Sequence, residues 1–227
     1  MSDSEVVAKF VARVNADFPE GVPSLPDYGY RDSLALCAID SVYSLAARYG
    51  SAQNARDRYM STRRDAGAQP GVDSLRDLVS AIDEAGGPAV AAESLFSNRQ
   101  VAPGTRRRKA EALYGAAHRL MRSDIGVVTA ANLRARAAEA GELDMVRRAW
   151  VAEPGLGYAS WRYLLMLAGV PGVKIDRMIT RYVGATIGSS RSKVLIEEAF
   201  AAAAESLAVG VHELDNAIWQ KESGRRA

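Results

Sequence analysis

The sequence contains few of the residues that build metal sites and covalent cross-links. Its 227 residues include one cysteine, Cys37, and two histidines, His118 and His212. A single cysteine excludes an intrachain disulfide and any four-cysteine metal or iron–sulfur site. Two histidines leave too few ligands for a histidine-based metal centre. We therefore expect neither a haem nor an iron–sulfur cluster.

Long apolar runs and a strong charge imbalance are also missing. No stretch is long and apolar enough to span a bilayer, and the acidic opening Met1-Ser2-Asp3-Ser4 does not resemble a secretory signal. We therefore predict a cytoplasmic protein with no membrane partner. The net charge is only +2, so a nucleic-acid partner would require clustered rather than abundant positive charge.

The pattern along the chain is helical. Apolar residues recur every three or four positions, and alternation with a period of two is nearly absent, which predicts an all-α protein. Glycine and proline separate the segments. The predicted helices cover roughly 4–17, 32–49, 52–65, 73–85, 105–122, 130–139, 142–152, 158–169, 176–186, 191–208 and 212–222.

The most informative stretch runs from 146 to 183. Two helical segments meet there at Glu153-Pro154-Gly155-Leu156-Gly157, and Asp176 opens the next helix. The amides of a glycine-containing turn and of a helix N-terminus can hold a phosphate. A carboxylate one helix later could then act on a nucleotide held by its backbone.

These residues resemble the helix-hairpin-helix DNA glycosylases of the endonuclease III type. Glu153-Pro154-Gly155-Leu156-Gly157 stands for their Leu-Pro-Gly-(Val/Ile)-Gly hairpin, with Glu153 replacing leucine. Ile175-Asp176-Arg177-Met178-Ile179 matches the run that holds their catalytic aspartate. The resemblance implies two helical subdomains with a DNA-binding cleft between them, residues 1–51 with 154–227 forming one and residues 52–153 the other.

The resemblance makes Asp176 the catalytic carboxylate, which would stabilise the positive charge that builds on deoxyribose as a base leaves. An aspartate at this position is also a common helix cap, and both roles are compatible. Family members that cleave the strand carry a lysine just after the hairpin. The corresponding position in this chain is near Ala159, and no lysine is adjacent to it. We therefore expect a monofunctional enzyme that leaves an abasic site and lacks efficient lyase activity.

Two groups of residues are predicted to bind DNA phosphates. The first is the hairpin itself, Gly155, Leu156 and Gly157, whose carbonyls could also hold K⁺ or Na⁺ as in the family; no other cofactor is expected. The second lies in Arg106-Arg107-Arg108-Lys109, which is predicted to open the fifth helix, and comprises Arg106, Arg108 and Lys109. A plain helix–helix turn and a solvated basic face are the alternatives.

The base pocket and the wedge that fills the gap left by a flipped base are predicted near the second helix. That helix resembles a family helix ending in Ser-Gln-Gln/Asn-Thr: Ser41 matches the serine, whereas Val42 and Tyr43 replace the glutamine pair. Asp40 and Tyr30 are further pocket candidates by position. A core role is the alternative for Tyr43, and a solvent-facing one for Asp40.

The residues thus suggest a DNA glycosylase that flips a damaged or modified base and acts in base excision repair. An enzyme that excises modified bases from phage DNA in antiviral defence is an alternative. So are a non-catalytic DNA-binding protein that kept the hairpin and a helical interaction domain in which the hairpin is only a turn. We expect a monomer, associated with the nucleoid through DNA.

Overall fold

A computed structural model describes residues 2–24, 28–47, 50–139, 141–189 and 191–224. These residues form an all-α protein, as predicted, and their only β-type pairing is an isolated bridge between Val101 and Arg108. The helices are α1 (Asp3–Asp17), α2 (Leu34–Tyr43), α3 (Ser51–Asp65), α4 (Leu75–Glu84), α5 (Pro88–Ser94), α6 (Lys109–Met121), α7 (Ala130–Ala138), α8 (Glu142–Val151), α9 (Tyr158–Leu167), α10 (Arg177–Ile187), α11 (Lys193–Ser206) and α12 (Val211–Ser223).

The larger of two compact units spans Gly29–Val170. Its central element is α2, in which every residue is buried and which packs against α3, α4, α6 and α9. Ser33 caps this helix, its hydroxyl accepting a hydrogen bond from the Leu36 amide at 3.3 Å. The sequence LALCAIDSVY is apolar on nearly all sides, and such a helix belongs in the middle of a core.

The smaller unit combines Met1–Tyr28 with Pro171–Ala227. It contains α1, α10, α11 and α12, with α1 packed along α11 and α10 along α12. Phe10 of α1 lies at its centre, with its ring 5.0 Å from Phe200 and 5.8 Å from Tyr182 between centroids. The apolar stripes of the two chain ends therefore bury each other.

The division of the chain differs from the one inferred by resemblance. Residues 29–51 and 154–170 belong to the larger unit with 52–153, because α2 and α9 pack on each other and α2 packs on α3, α4 and α6. In both divisions the two chain ends share one unit.

Three helix predictions also differ from the structure. No helix is predicted between residues 85 and 105, yet α5 begins there at Pro88, a first-turn position where the missing N–H of proline costs nothing. Helix α6 begins at Lys109 rather than near 105. The predicted helix 32–49 ends at Tyr43, and its residues 48 and 49 lie outside the described residues.

Candidate nucleic-acid interface

The turn between α8 and α9 is built around Gly155. This residue has φ +90°, and a Cβ added to it would lie 2.5 Å from the Cβ of Ala102. Both the left-handed backbone and the close packing require glycine here. The turn 153–157 is therefore pressed against the loop that precedes α6.

Gly157 lies on the open side of the same turn. Its φ of −144° is ordinary extended backbone, and a Cβ added there would meet no atom within 4 Å. Its amide donates to the Ser160 hydroxyl at 3.1 Å, and the same hydroxyl accepts from the Trp150 indole at 3.1 Å. Ser160 thus fixes the start of α9 against the end of α8.

The turn uses some of the amides that were predicted to face a phosphate. The Leu156 N–H donates to the Glu153 carbonyl at 3.0 Å, and the Gly157 N–H donates to Ser160. Within the described part of the chain, the N–H groups of Gly155 and Ala159 have no hydrogen-bond acceptor. The amides that could meet an anion at this turn are therefore Gly155 and Ala159, and Gly157 contributes open space instead.

The loop 101–108 packs beside this turn and presents Arg106. Its two strands are joined by the Ala102 amide, which donates to the Arg107 carbonyl at 2.8 Å. Thr105 approaches Gly155, its Cγ2 3.3 Å from the position of an added Cβ. Arg106 follows directly and is exposed, and no described residue forms an ion pair or hydrogen bond with its guanidinium.

The other two basic residues predicted to bind phosphate point elsewhere. Arg108 donates to the Ala89 carbonyl at 3.0 Å and lies 3.4 Å from a Glu93 carboxylate oxygen, both in α5. Lys109 is only 1% exposed. The prediction that Lys109 binds phosphate is therefore wrong.

Lys109 is buried because its ammonium binds backbone carbonyls at the C-terminal end of α2. Its ammonium donates to the carbonyls of Tyr43 and Leu45 at 3.0 and 2.6 Å and to the Gln100 side chain at 2.7 Å. A cation at the end of a helix satisfies carbonyls that lack intrahelical partners. Burial lowers the pKa of Lys109 to about 8.

Glu153, the first residue of the turn, is a buried carboxylate with two cationic partners. It is 2% exposed, and it forms ion pairs with Arg107 of the loop and, at 3.1 Å, with Arg119 of α6. Gly115 of α6 leaves room for it, because a Cβ there would lie 2.5 Å from Glu153 Oε2. Arg107 and Arg119 could not be assigned as partners of Glu153 from the sequence, because only the tertiary fold brings them to residue 153.

Asp176 lies in the smaller unit, at the N-cap of α10. Its Oδ1 accepts hydrogen bonds from the amides of Met178 and Ile179 at 2.8 and 3.1 Å. Oδ2 has no hydrogen-bond donor among the described residues, and the side chain is half-buried. The segment before it is anchored because Asp215 of α12 accepts from the Lys174 amide at 3.1 Å.

The residues predicted to form a wedge lie in the core. Val42, Tyr43 and Ser41 are fully buried in α2. Tyr43 packs on Phe96 with ring centroids 5.2 Å apart, and the Ser41 hydroxyl donates to the Ser160 carbonyl at 2.7 Å. The wedge assignment of Val42 and Tyr43, and a base contact by Ser41, are therefore wrong, because an apolar helix at the centre of a unit has no surface to offer a base.

Asp40 and Tyr30, by contrast, are in contact. The Tyr30 hydroxyl donates to Asp40 Oδ2 at 2.8 Å, and Arg56 donates to that same hydroxyl. The Arg56 guanidinium also lies 3.8 Å from Asp40 Oδ2 and over the Tyr30 ring. Burial and the nearby Asp40 charge raise the pKa of Tyr30, so its hydroxyl stays protonated as a donor.

Few observations bear on the predicted K⁺ or Na⁺ site and on the predicted absence of a membrane partner. The described residues contain no cluster of three or more histidine, cysteine, aspartate or glutamate side chains that could hold a metal. At the turn, the Glu153 carbonyl accepts one internal hydrogen bond, from the Leu156 amide, and keeps a second lone pair. The Gly157 carbonyl accepts two, from the Trp161 amide at 3.0 Å and from the Ser160 hydroxyl at 2.8 Å. Neutral carbonyl oxygens of this kind suit K⁺ or Na⁺.

No helix in the described residues is long and apolar enough to cross a membrane.

Comparison with known proteins assigns a family but no activity. None of the curated proteins matches the chain. The match to a family profile, by contrast, begins within α1 and ends at the last residue of α12. The chain belongs to the family described as a domain of unknown function (DUF8548), which matches residues 8–223.

Proposed function

We propose that this protein is a monofunctional DNA glycosylase related to the helix-hairpin-helix superfamily. The turn 153–157 and Arg106 would hold one DNA strand by its phosphates. Asp176 would act on the sugar of an extruded nucleotide and release its base, leaving an abasic site. A DNA-binding cleft, a helix-hairpin-helix motif and K⁺ or Na⁺ at the turn carbonyls belong to this proposal.

The observation that carries the proposal is the state of the Asp176 carboxylate. Two amides hold Oδ1, while Oδ2 keeps its lone pairs. A carboxylate fixed in this way needs little reorganisation to face a developing positive charge, and such preorganisation is the main source of electrostatic catalysis. The same oxygen could orient the attacking water.

The phosphate side of the proposal depends on the larger unit. The Gly155 and Ala159 amides lie near the N-terminus of α9, where the helix dipole favours an anion. Arg106, close to Gly155 through Thr105, adds a full positive charge. Binding that uses such contacts weakens with salt, because each neutralised phosphate releases counterions.

The test is base release from a panel of duplexes with modified bases, including bulky phage cytosine modifications. Free bases are identified by mass spectrometry, and abasic sites by strand breakage in alkali. The variant is Asp176→Asn, since asparagine is as good an N-cap and preserves α10. Base release should fall by about two to three orders of magnitude, with duplex affinity unchanged.

Asp3→Asn is the matched control, since it makes the same change at an exposed aspartate of the smaller unit and should keep full activity. Equal rates for Asp176→Asn and the wild type would remove Asp176 from the mechanism. Borohydride treatment should trap no covalent adduct, because no lysine lies at or next to Ala159, directly after the turn. An efficient adduct would contradict the monofunctional assignment.

A second function is favoured by a specific observation. Capping of α10 alone accounts for an aspartate at 176, and the predicted wedge residues are buried. A non-catalytic DNA-binding protein would show both features. It would bind duplex DNA in the same assay and release no base from any member of the panel.

A further inference from the structure

Glu153 stands where the resembling hairpins carry leucine. Burying a carboxylate costs several kcal/mol of solvation, which its partners must offset, so its presence calls for a physical reason. We propose that Glu153 is a positioning residue that holds the loop 101–108 in register with the turn 153–157. The loop then serves as the second arm of one binding site for a DNA phosphodiester backbone, a role that rests on the proposed function.

The electrostatic part of this device joins three elements. Glu153 Oε1 pairs with Arg107 at the base of the loop, and Oε2 pairs with Arg119 of α6 at 3.1 Å. Arg107 is itself fixed to the loop by its carbonyl, which accepts from the Ala102 amide at 2.8 Å. Movement of the turn would therefore break contacts to both the loop and α6.

The steric part acts at the next corner of the turn. Gly155 packs so closely on Ala102 and Thr105 that no side chain fits there. The loop and the turn thus touch at two points, one ionic and one apolar. These two contacts fix the position of Arg106, which lies between Thr105 and Arg107 in the sequence.

The first test is Glu153→Gln in the full chain, measured as affinity for an unmodified DNA duplex by fluorescence anisotropy. The two possible roles of Glu153 predict opposite signs. Removing a negative charge near a polyanion tightens binding if only Coulomb attraction matters. Loss of positioning weakens it, and we expect binding on the order of tenfold weaker. Tighter or unchanged binding would overturn the inference.

A double-mutant cycle with Arg106→Ala tests the loop as an arm of the site. Alone, this substitution should weaken binding and reduce the salt slope by about one phosphate contact. In the Glu153→Gln background it should cost much less, since Arg106 is no longer held in place. Glu153 and Arg106 form no direct contact within the described residues, so additive effects would show that no shared positioning exists.

Gly115→Ala supplies a second variant that retains Glu153. Alanine favours helix α6 by about 1 kcal/mol over glycine, while its Cβ displaces the Glu153 carboxylate. Binding should weaken as in Glu153→Gln. Gly184→Ala in α10 is the control, because its Cβ would meet only ordinary contacts at 3.7 Å. Weakening by both alanine variants alike would overturn the inference.

Hydrogen exchange of the same variants gives a readout that does not need DNA. Glu153→Gln and Gly115→Ala should raise amide exchange in both 101–108 and 153–158, and leave α11 unchanged. Protection that persists in the loop would overturn the positioning role. A wild-type protein that binds no duplex would instead overturn the proposed function itself. Failure of the positioning role is therefore seen in the variants, and failure of the proposed function is seen in the wild type.

Discussion

At the scale of single residues, the buried and half-buried carboxylates of this protein hold its backbone and cations in place. Asp176 caps α10, Asp215 holds the segment before it, and Glu153 holds two arginines. Asp73 does the same for Arg63 and the Tyr59 hydroxyl. Asp176 differs from Glu153 and Asp73 because one of its oxygens, Oδ2, has no hydrogen-bond donor among the described residues, and the proposed catalytic role depends on that oxygen.

Asp17 is the carboxylate on which the smaller unit depends most visibly. It lies at the end of α1 and accepts hydrogen bonds from Arg13 at 2.7 Å and Tyr182 of α10 at 2.9 Å. Lys221 of α12 lies 3.1 Å away. Burial by itself raises the pKa of Asp17, but these donors outweigh it and the pKa is lowered.

Asp17→Asn should lower the free energy of unfolding by about 1–2 kcal/mol at neutral pH, since it removes charge-assisted hydrogen bonds. The folded pKa of Asp17 lies below the unfolded one. Its stabilisation is therefore present above the unfolded value and is lost as pH falls through the folded value. Urea midpoints of variant and wild type should converge on acidification from neutral pH, and a constant difference would contradict this.

Several residue roles could not be predicted from local sequence. Arg106, Arg108 and Lys109 look alike as a basic run, yet one is exposed, one binds α5 and one is buried under α2. What separates them is the place where α6 begins and which carbonyls α2 leaves open. Both are tertiary facts. The N-cap role of Asp176, by contrast, depends on local sequence alone, because an aspartate at the start of a helical segment is a common cap.

At the scale of elements, the two glycines of the turn 153–157 have different structural roles. Gly155 is required by its backbone and its contact with Ala102, whereas Gly157 faces open space. The sequence pattern treats them as equivalent members of one motif. The structure therefore offers a substitution that disturbs the fold and another that disturbs only what approaches the turn from outside.

Gly155→Ala should destabilise the protein by about 2 kcal/mol or more, through the left-handed φ and the clash with Ala102. Gly157→Val should leave the thermal unfolding temperature within a few degrees, yet weaken duplex binding because its branches occupy the side from which a phosphate would approach. Calorimetry and anisotropy measure the two effects. Full affinity in Gly157→Val would place the phosphate elsewhere.

Helices α1 and α11 both begin after a capping serine. Long helices such as these follow from their sequence because apolar spacing and capping residues act locally. Short elements do not. Helix α5 has only seven residues, and it starts at a proline, a residue type that more often ends a helix. It packs against α6, and this tertiary contact cannot be read from the local sequence.

At the scale of the whole molecule, helix packing decides where the chain divides into two units. A resemblance-based border at 51/52 separated α2 from α3, although α2 packs on α3, α4 and α6. Both neighbours of that border are helices with apolar residues to bury, and sequence does not state which faces meet. The larger unit, Gly29–Val170, is one continuous segment, whereas the smaller unit needs both chain ends.

This continuity predicts that a fragment of residues 29–170 folds alone. It keeps the buried α2 with all the helices that surround it, so circular dichroism should show helical structure that unfolds cooperatively on heating. It also keeps the turn 153–157, Glu153 and Arg106, but lacks Asp176. We therefore expect it to retain measurable, salt-sensitive duplex binding and to release no base. The full chain carrying Asp176→Asn is its control. Base release by the fragment would place the chemistry in the larger unit, and a fragment that folds but ignores DNA would show that the turn and Arg106 are insufficient to hold a strand.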